Sequence, residues 1–356
     1  MYRRPYPKRI VWTGGPASYH CYGRCVNKER LLGDEEAKDR FVAELRRVAD
    51  FCGVEVLTFC VMSSHYHILV RVDPKAKEVE DEELVRRFRA LYGEDKCPYI
   101  NMDAPRLARV LDSKLDDAEK VRAHLRSRMG DLAGFMKTLK QRYSVWYNGE
   151  RGRVGTLWAE RYKSCVVQDN PHVLRVVGAY IELNPVRAGL AVRAEAYRWS
   201  GYGAAVGGKA PSALRVWARA GIAGMLGREW AGMKTGRGDE AEEGGTSRGA
   251  GLRGAEEWDE EARKFLESYG CLVRVKDGTA RTGGKDCRDS GVFGLDLMER
   301  TPGILRGAIV GTRQFVAGWC TRTGIQRRPS PAKRVGGTEE APGLYTARRP
   351  RTGTAV

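Results

Sequence analysis

Ser63-Ser64-His65-Tyr66-His67-Ile68-Leu69-Val70-Arg71-Val72 reads as a β-strand that opens on two histidines around one bulky residue. Side chains alternate faces along a strand. His65 and His67 therefore point the same way, roughly 6–7 Å apart along the backbone. Two imidazoles so placed can converge on one cation, although ordinary strand surface accounts for a lone His-x-His equally well. The chain holds only five histidines, so the pair does not follow from histidine richness. Upstream, Val54 to Met62 reads as a second short strand, set off by Gly53. Residues 35–51 carry a helical stripe of Ala37, Phe41, Leu45, Val48 and Phe51. Residues 10–26 read as a further strand with Trp12, Tyr19 and Tyr22. The order β-α-β-β with short links predicts an α+β fold, an antiparallel sheet with helices packed on it.

Downstream, residues 73–128 are charged and expected to be helical, with an irregular stretch from Cys97-Pro98 to Pro105. A strong amphipathic helix is predicted over 131–148, with Leu132, Phe135, Met136, Leu139, Tyr143 and Trp146 as its stripe. Gly149 to Gly155 breaks it, and a strand is expected over 164–168. Asn170-Pro171 opens another helix, with Val173, Leu174, Val177, Tyr180 and Ile181 inward and Asn184-Pro185 as its stop. This organisation predicts one large domain over 1–205 that includes the helical insert at about 73–128. A helix and Gly-rich linker follow over 206–256, then a small packed module over 257–320. From Thr321 to 356 the chain is basic and rich in Pro and Gly, a tail expected to lack fixed structure. There is no internal repeat.

Composition narrows the function classes. Lys and Arg number 62 against 45 Asp and Glu, a net charge of +17. Such an excess fits a polyanionic partner, nucleic acid first of all, with the basic tail contributing part of it. No stretch of about 18 apolar residues occurs, so no membrane span is expected. Met1-Tyr2-Arg3-Arg4-Pro5 lacks the apolar core of a signal peptide. Nine cysteines at irregular spacing include no Cys-x-x-Cys, and Cys21 and Cys25 have no matching second pair. Reduced, idle thiols in a cytoplasm are the expectation.

Several short motifs stand in order. They are Tyr19-His20-Cys21, Met62 to Leu69, Phe135-Met136-Lys137 through Lys140-Gln141-Arg142-Tyr143-Ser144, and Trp146-Tyr147-Asn148. Gly155-Thr156-Leu157-Trp158, Arg161-Tyr162-Lys163-Ser164, Tyr180 to Leu190 and Tyr197-Arg198-Trp199-Ser200 continue the series. The series resembles the IS200-like single-tyrosine (Y1) transposases of the HUH type, and among these the REP-associated tyrosine transposases. The resemblance covers about residues 15–203 and continues weakly at 303–316 and at Leu344-Tyr345. It implies a ferredoxin- or RRM-like HUH palm in a bacterial, cytoplasmic protein that joins the nucleoid when DNA-bound. It also implies single-stranded or hairpin DNA as partner, with monomer and homodimer both open. Where the family commonly has Pro-Asn before the first histidine, this chain has Ser63-Ser64.

The resemblance assigns roles. His65 and His67 would bind Mg²⁺ or Mn²⁺, with Asn148 a third ligand through its amide oxygen; imidazoles suit Mn²⁺ better. Tyr143 occupies the nucleophile position and Tyr147, one turn on, is the reserve. Tyr143 also lies on the apolar stripe, where a plain core aromatic fits. A tyrosine phenolate can attack a metal-polarised phosphodiester, form a 5′-phosphotyrosine and release a 3′-hydroxyl. Arg24, Trp158, Arg161, Lys163 and Arg187 are candidate DNA contacts, by stacking or through phosphates. A structural tryptophan with solvated charges fits the Trp158-Arg161-Lys163 cluster almost as well. His20 is expected to pack or to hydrogen-bond rather than to bind metal. The rival reading is a domesticated nucleic-acid-binding protein that has lost cleavage. A metal-dependent hydrolase without DNA sits poorly with the charge. A replication initiator or relaxase would bring motifs absent here.

Overall fold

The computed structural model describes residues 15–225, apart from 94, 96, 98, 99, 114 and 115, together with 309–323, 330–331 and 345–347. The contacts divide the chain into two compact units, one of residues 1–56 and 61–167, the other of residues 57–60 and 168–356.

The first unit is built on strands β1 (Ala17–Arg24), β3 (His65–Val72) and β4 (Lys163–Val167) and the ends of β2 (Val54–Val61), the strand order being β2-β3-β1-β4. β1 runs antiparallel to both neighbours, with Tyr22 opposite His67 and Arg24 opposite His65 on one side, and His20 opposite Cys165 on the other. A tight turn joins β2 to β3, closed by the Met62 N–H donating to the His65 carbonyl at 2.8 Å. Helix α1 (Glu35–Cys52) starts where Asp34 accepts the Ala37 N–H at 2.8 Å and ends at Gly53, whose φ of 60° is left-handed. The expected stripe Phe41, Leu45, Val48 and Phe51 is fully buried.

The charged insert folds as three helices, α2 (Asp81–Tyr92), α3 (Ala104–Asp112) and α4 (Asp116–Arg126). Arg122 fastens it by donating to Asp81 at 2.7 Å, across the start of α2 and the middle of α4. Helix α5 (Leu132–Glu150) is capped by Asp131 and packs against α1. Glu44 of α1 is fully buried and receives Arg142 of α5 at 2.5 Å and Arg40 at 2.8 Å. The α+β expectation therefore holds.

In the second unit, Asn170 caps helix α6 (Pro171–Glu182), followed by α7 (Asn184–Arg187), α8 (Gly201–Val206) and α9 (Ser212–Gly224). Strand β5 (Ile309–Gly311) and helix α10 (Arg313–Thr323) come next, with strands β6 (Ser330–Pro331) and β7 (Tyr345–Ala347). Glu182 Oε1 accepts the Thr58 hydroxyl and the Tyr202 N–H. This cluster explains why the expected boundary near 205 is not where the contacts divide: residues 168–206 wrap the middle of β2 and belong to the C-terminal unit. The tail expected from 321 onward also needs correction, because β7 pairs with β5 and β6 with β7. Short extended segments such as Tyr345-Thr346 carry β-prone residues that a basic composition hides. The Gly-rich linker and most of the 257–320 module lie outside the described residues.

Candidate nucleic-acid cleavage site

The alternation of β3 sorts its side chains onto two faces. Tyr66 points to the helices, its ring 4.9 Å from Phe41 of α1 and 5.5 Å from Trp158. Gly23 of β1 makes room for it, since a Cβ there would stand 2.5 Å from the Tyr66 hydroxyl oxygen. His65 and His67 project from the other face, ring centres 5.3 Å apart and edge to face. Their neighbours on that face come from β1. Tyr22 stacks on His67 at 5.8 Å and on His20 at 5.5 Å. His20 Nε2 lies 3.0 Å from His67 Nδ1. His65 Nδ1 lies 3.3 Å from the Ser64 hydroxyl.

Burial favours the neutral form of His20 and His65. Burial lowers His20 to about 3. Burial, and then the Arg24 guanidinium, lower His65 to about 4. Neutral imidazole is the form that binds metal. With each Nδ1 engaged by a neighbour, Nε2 is the atom through which His65 and His67 would ligate. No group of three or more His, Cys, Asp or Glu able to hold a metal ion occurs among the described residues. Two imidazoles on one strand face could supply two ligands to a cation, the remainder coming from oxygens of water or substrate.

Loops gather beside His65. The Cys25 N–H donates to Ser64 O at 2.8 Å, Val26 N–H to Leu157 O at 2.9 Å and Leu32 N–H to Ser63 O at 2.9 Å. Arg24 is exposed at this edge.

The tyrosines of α5 belong to the helix-covered face. Tyr143 is fully buried, 5.3 Å from Phe41 and 5.8 Å from Trp158 by ring centres. Its hydroxyl donates to Leu31 O at 2.9 Å, and burial pushes its ionisation well above the usual phenol range. The apolar stripe carries the whole ring inward, as a plain core aromatic would sit. Tyr147 is half-buried, 5.9 Å from Tyr143. Asn148 donates to Gly155 O at 3.0 Å, and its Oδ1 is buried with no hydrogen-bond partner among the described residues.

Trp158 is also a core residue. Its indole N–H donates to the Ser144 hydroxyl at 2.9 Å, and the rings of Phe41, Tyr66 and Tyr143 surround it. That packing occupies the faces that base stacking would need. Arg161 and Lys163 are exposed, and Lys163 pairs with Glu160 at 2.5 Å. Arg187, in the second unit, is exposed and lies over the Tyr180 ring at 5.2 Å. The stacking of Tyr22 on the histidines and the place of Arg24 beside His65 were not read from sequence. Strand alternation of β1 carried the signal for Tyr22 and Arg24, but only once its register against β3 was known.

Residues 16–88 match the family model described as "Transposase IS200 like". This stretch is similar to the IS200-like transposases. It contains β1, α1, β2, β3 and most of α2, and with them the histidine pair. No curated protein matches the chain. Among solved structures, the REP-associated tyrosine transposase bound to a REP hairpin is similar at 15% identity, over 58% of this chain and 84% of that one, with a TM-score of 0.30. A likeness that slight carries no argument. No described helix of the chain is long and apolar enough to cross a membrane.

Proposed function

We propose that this chain cleaves and rejoins single-stranded or hairpin DNA as a transposase, through a phosphotyrosine intermediate. The observation that supports it most is the histidine pair on one strand face, each Nδ1 engaged, within the IS200-like segment. A divalent cation bound there would polarise the scissile phosphate and stabilise transition-state charge. His65 and His67 hold and orient the ligating nitrogens, and Ser64 fixes the first ring. A tyrosine oxygen forms the new O–P bond, the P–O3′ bond breaks, and the 3′ oxygen takes a proton. Arg24, Arg161 and Lys163 meet phosphates on the exposed surface of the same unit. Arg187 is a further phosphate contact.

Tyr147 is the stronger candidate for the attacking phenol, because Tyr143 is buried and committed to Leu31. In this reading Tyr143 anchors α5 to the loop before α1. A nucleophile must come within roughly 3–3.5 Å of phosphorus, so α5 has to bring its tyrosine to the histidine face when DNA binds.

The test is a labelled hairpin oligonucleotide with Mn²⁺, scored for a covalent adduct. Tyr147→Phe should abolish the adduct and Tyr143→Phe should keep it. The reverse pattern restores Tyr143 as nucleophile. His65→Ala and His67→Ala should stop cleavage but leave most DNA affinity. A wild-type protein that binds hairpins yet never forms an adduct would identify a binder that has lost cleavage, the reading that the burial of Tyr143 favours.

A further inference from the structure

We infer that His20 is a positioning residue that holds His67 in the tautomer with its proton on Nδ1, so that Nε2 meets the cation. The inference rests on the metal reading above. His20 sits on β1 opposite Leu69, one pair along from Tyr22 and His67. It is thus a diagonal neighbour of His67 on the same face, within reach of a long side chain. The two rings lie within 7° of coplanar, with centres 5.2 Å apart and facing nitrogens 3.0 Å apart. The centre separation is little more than that gap plus the two ring radii, so the nitrogens meet head-on. Two imidazoles facing each other across one cation would hold their nitrogens roughly 4 Å apart. The head-on contact is therefore a hydrogen bond, and His20 is not a third ligand.

Two facing nitrogens 3.0 Å apart leave room for one proton between them. If His67 donates, its Nε2 carries the lone pair that a metal requires. If His20 donates, the proton of His67 sits on Nε2 and blocks ligation. Metal-binding histidines regularly have their second nitrogen fixed by such a neighbour, and here the neighbour is another histidine. Tyr22 stacks over both rings and holds them in one plane. His20 is almost fully buried, which keeps water from competing for the bond.

Two measurements on the full chain test this. Nitrogen-15 NMR of the metal-free, histidine-labelled protein should show His67 protonated on Nδ1; protonation on Nε2 overturns the inference and needs no variant to fold. Mn²⁺ alone, titrated by electron paramagnetic resonance, should bind His20→Phe roughly 10–100-fold more weakly than wild type. His20→Gln, whose Oε1 can accept the same bond, should recover most of that loss. Equal affinity in wild type and His20→Phe overturns the inference. So does a loss that His20→Gln fails to recover, because that marks a structural role alone. A wild-type chain that binds no Mn²⁺ sinks the metal reading instead, and the tautomer measurement then decides the His20–His67 bond separately.

Discussion

At the scale of single residues, Glu182 shows how a carboxyl can be built into a core. It is fully buried at the end of α6, with Thr58, Ser200 and the Tyr202 N–H around it. Burial raises its pKa to about 7, against the lowering effect of these hydrogen bonds. Below pH 4.5 the group is neutral whether the chain is folded or not. As pH rises from 4.5 to 7, the unfolded chain releases the proton while the folded one keeps it. The contribution of Glu182 should therefore fall across that window, by about 3 kcal/mol, and level off above pH 7. The buried neutral rings of His20 and His65 pull the other way below pH 6.5, so Glu182 is read as a difference: urea midpoints of wild type should lose ground to those of Glu182→Gln as pH rises from 4.5 to 7. A constant gap between the two curves would show that Glu182 is not the group responsible. Nothing in the local sequence marks this residue as buried, because Thr58 and Tyr202 meet it only through tertiary contact. The histidine pair was different. A two-residue spacing on a strand states its own geometry, whereas the Nδ1 partner of His67 depends on register.

At the scale of elements, the β1–β3 ladder carries a close approach that sequence does not advertise. Tyr66 lies over Gly23, and a methyl group there would press on its hydroxyl. Gly23→Ala should destabilise the protein by about 1–3 kcal/mol through overpacking. It should also weaken Mn²⁺ binding, since Tyr66 stands between the two histidines on one backbone. A thermal melt and a Mn²⁺ titration check both effects; an unchanged melting temperature would mean that Tyr66 moves aside at no cost. The helices were legible because α1 and the first two-thirds of α5 bury continuous stripes at helical spacing, with Asp caps at their starts. The direction of Tyr143 was legible in that stripe too, and the motif position pulled the reading the other way. Trp158 misled for a related reason: its basic neighbours Arg161 and Lys163 are exposed while its own ring fills the core.

At the scale of the whole molecule, the net charge of +17 would set the terms of the proposed encounter with DNA. Each phosphate neutralised by a lysine or arginine releases condensed counterions, so affinity falls steeply with salt. Hairpin affinity measured from about 50 to 200 mM salt should drop by orders of magnitude if six or more phosphates are met. Arg24→Ala, Arg161→Ala and Lys163→Ala combined should flatten that slope without shifting the melting temperature. A slope unchanged in the triple variant would place the contacts elsewhere on the chain. Charge totals were readable from composition, while the choice of exposed cations required knowing which side chains the core had already claimed.

The two-faced β3 has a consequence for descent. In the proposed function its odd positions, 65 and 67, serve the reaction, whereas even positions such as 66 and 68 serve the packing under α1. In a lineage that gives up cutting DNA but keeps the protein, selection would relax at the odd positions of this end alone. Descendants would then scatter at 65 and 67 yet keep large apolar or aromatic residues at 66 and 68. Descendants still mobile would hold both registers. Parity of variation along eight residues would thus separate living transposases from retired ones before any assay is run.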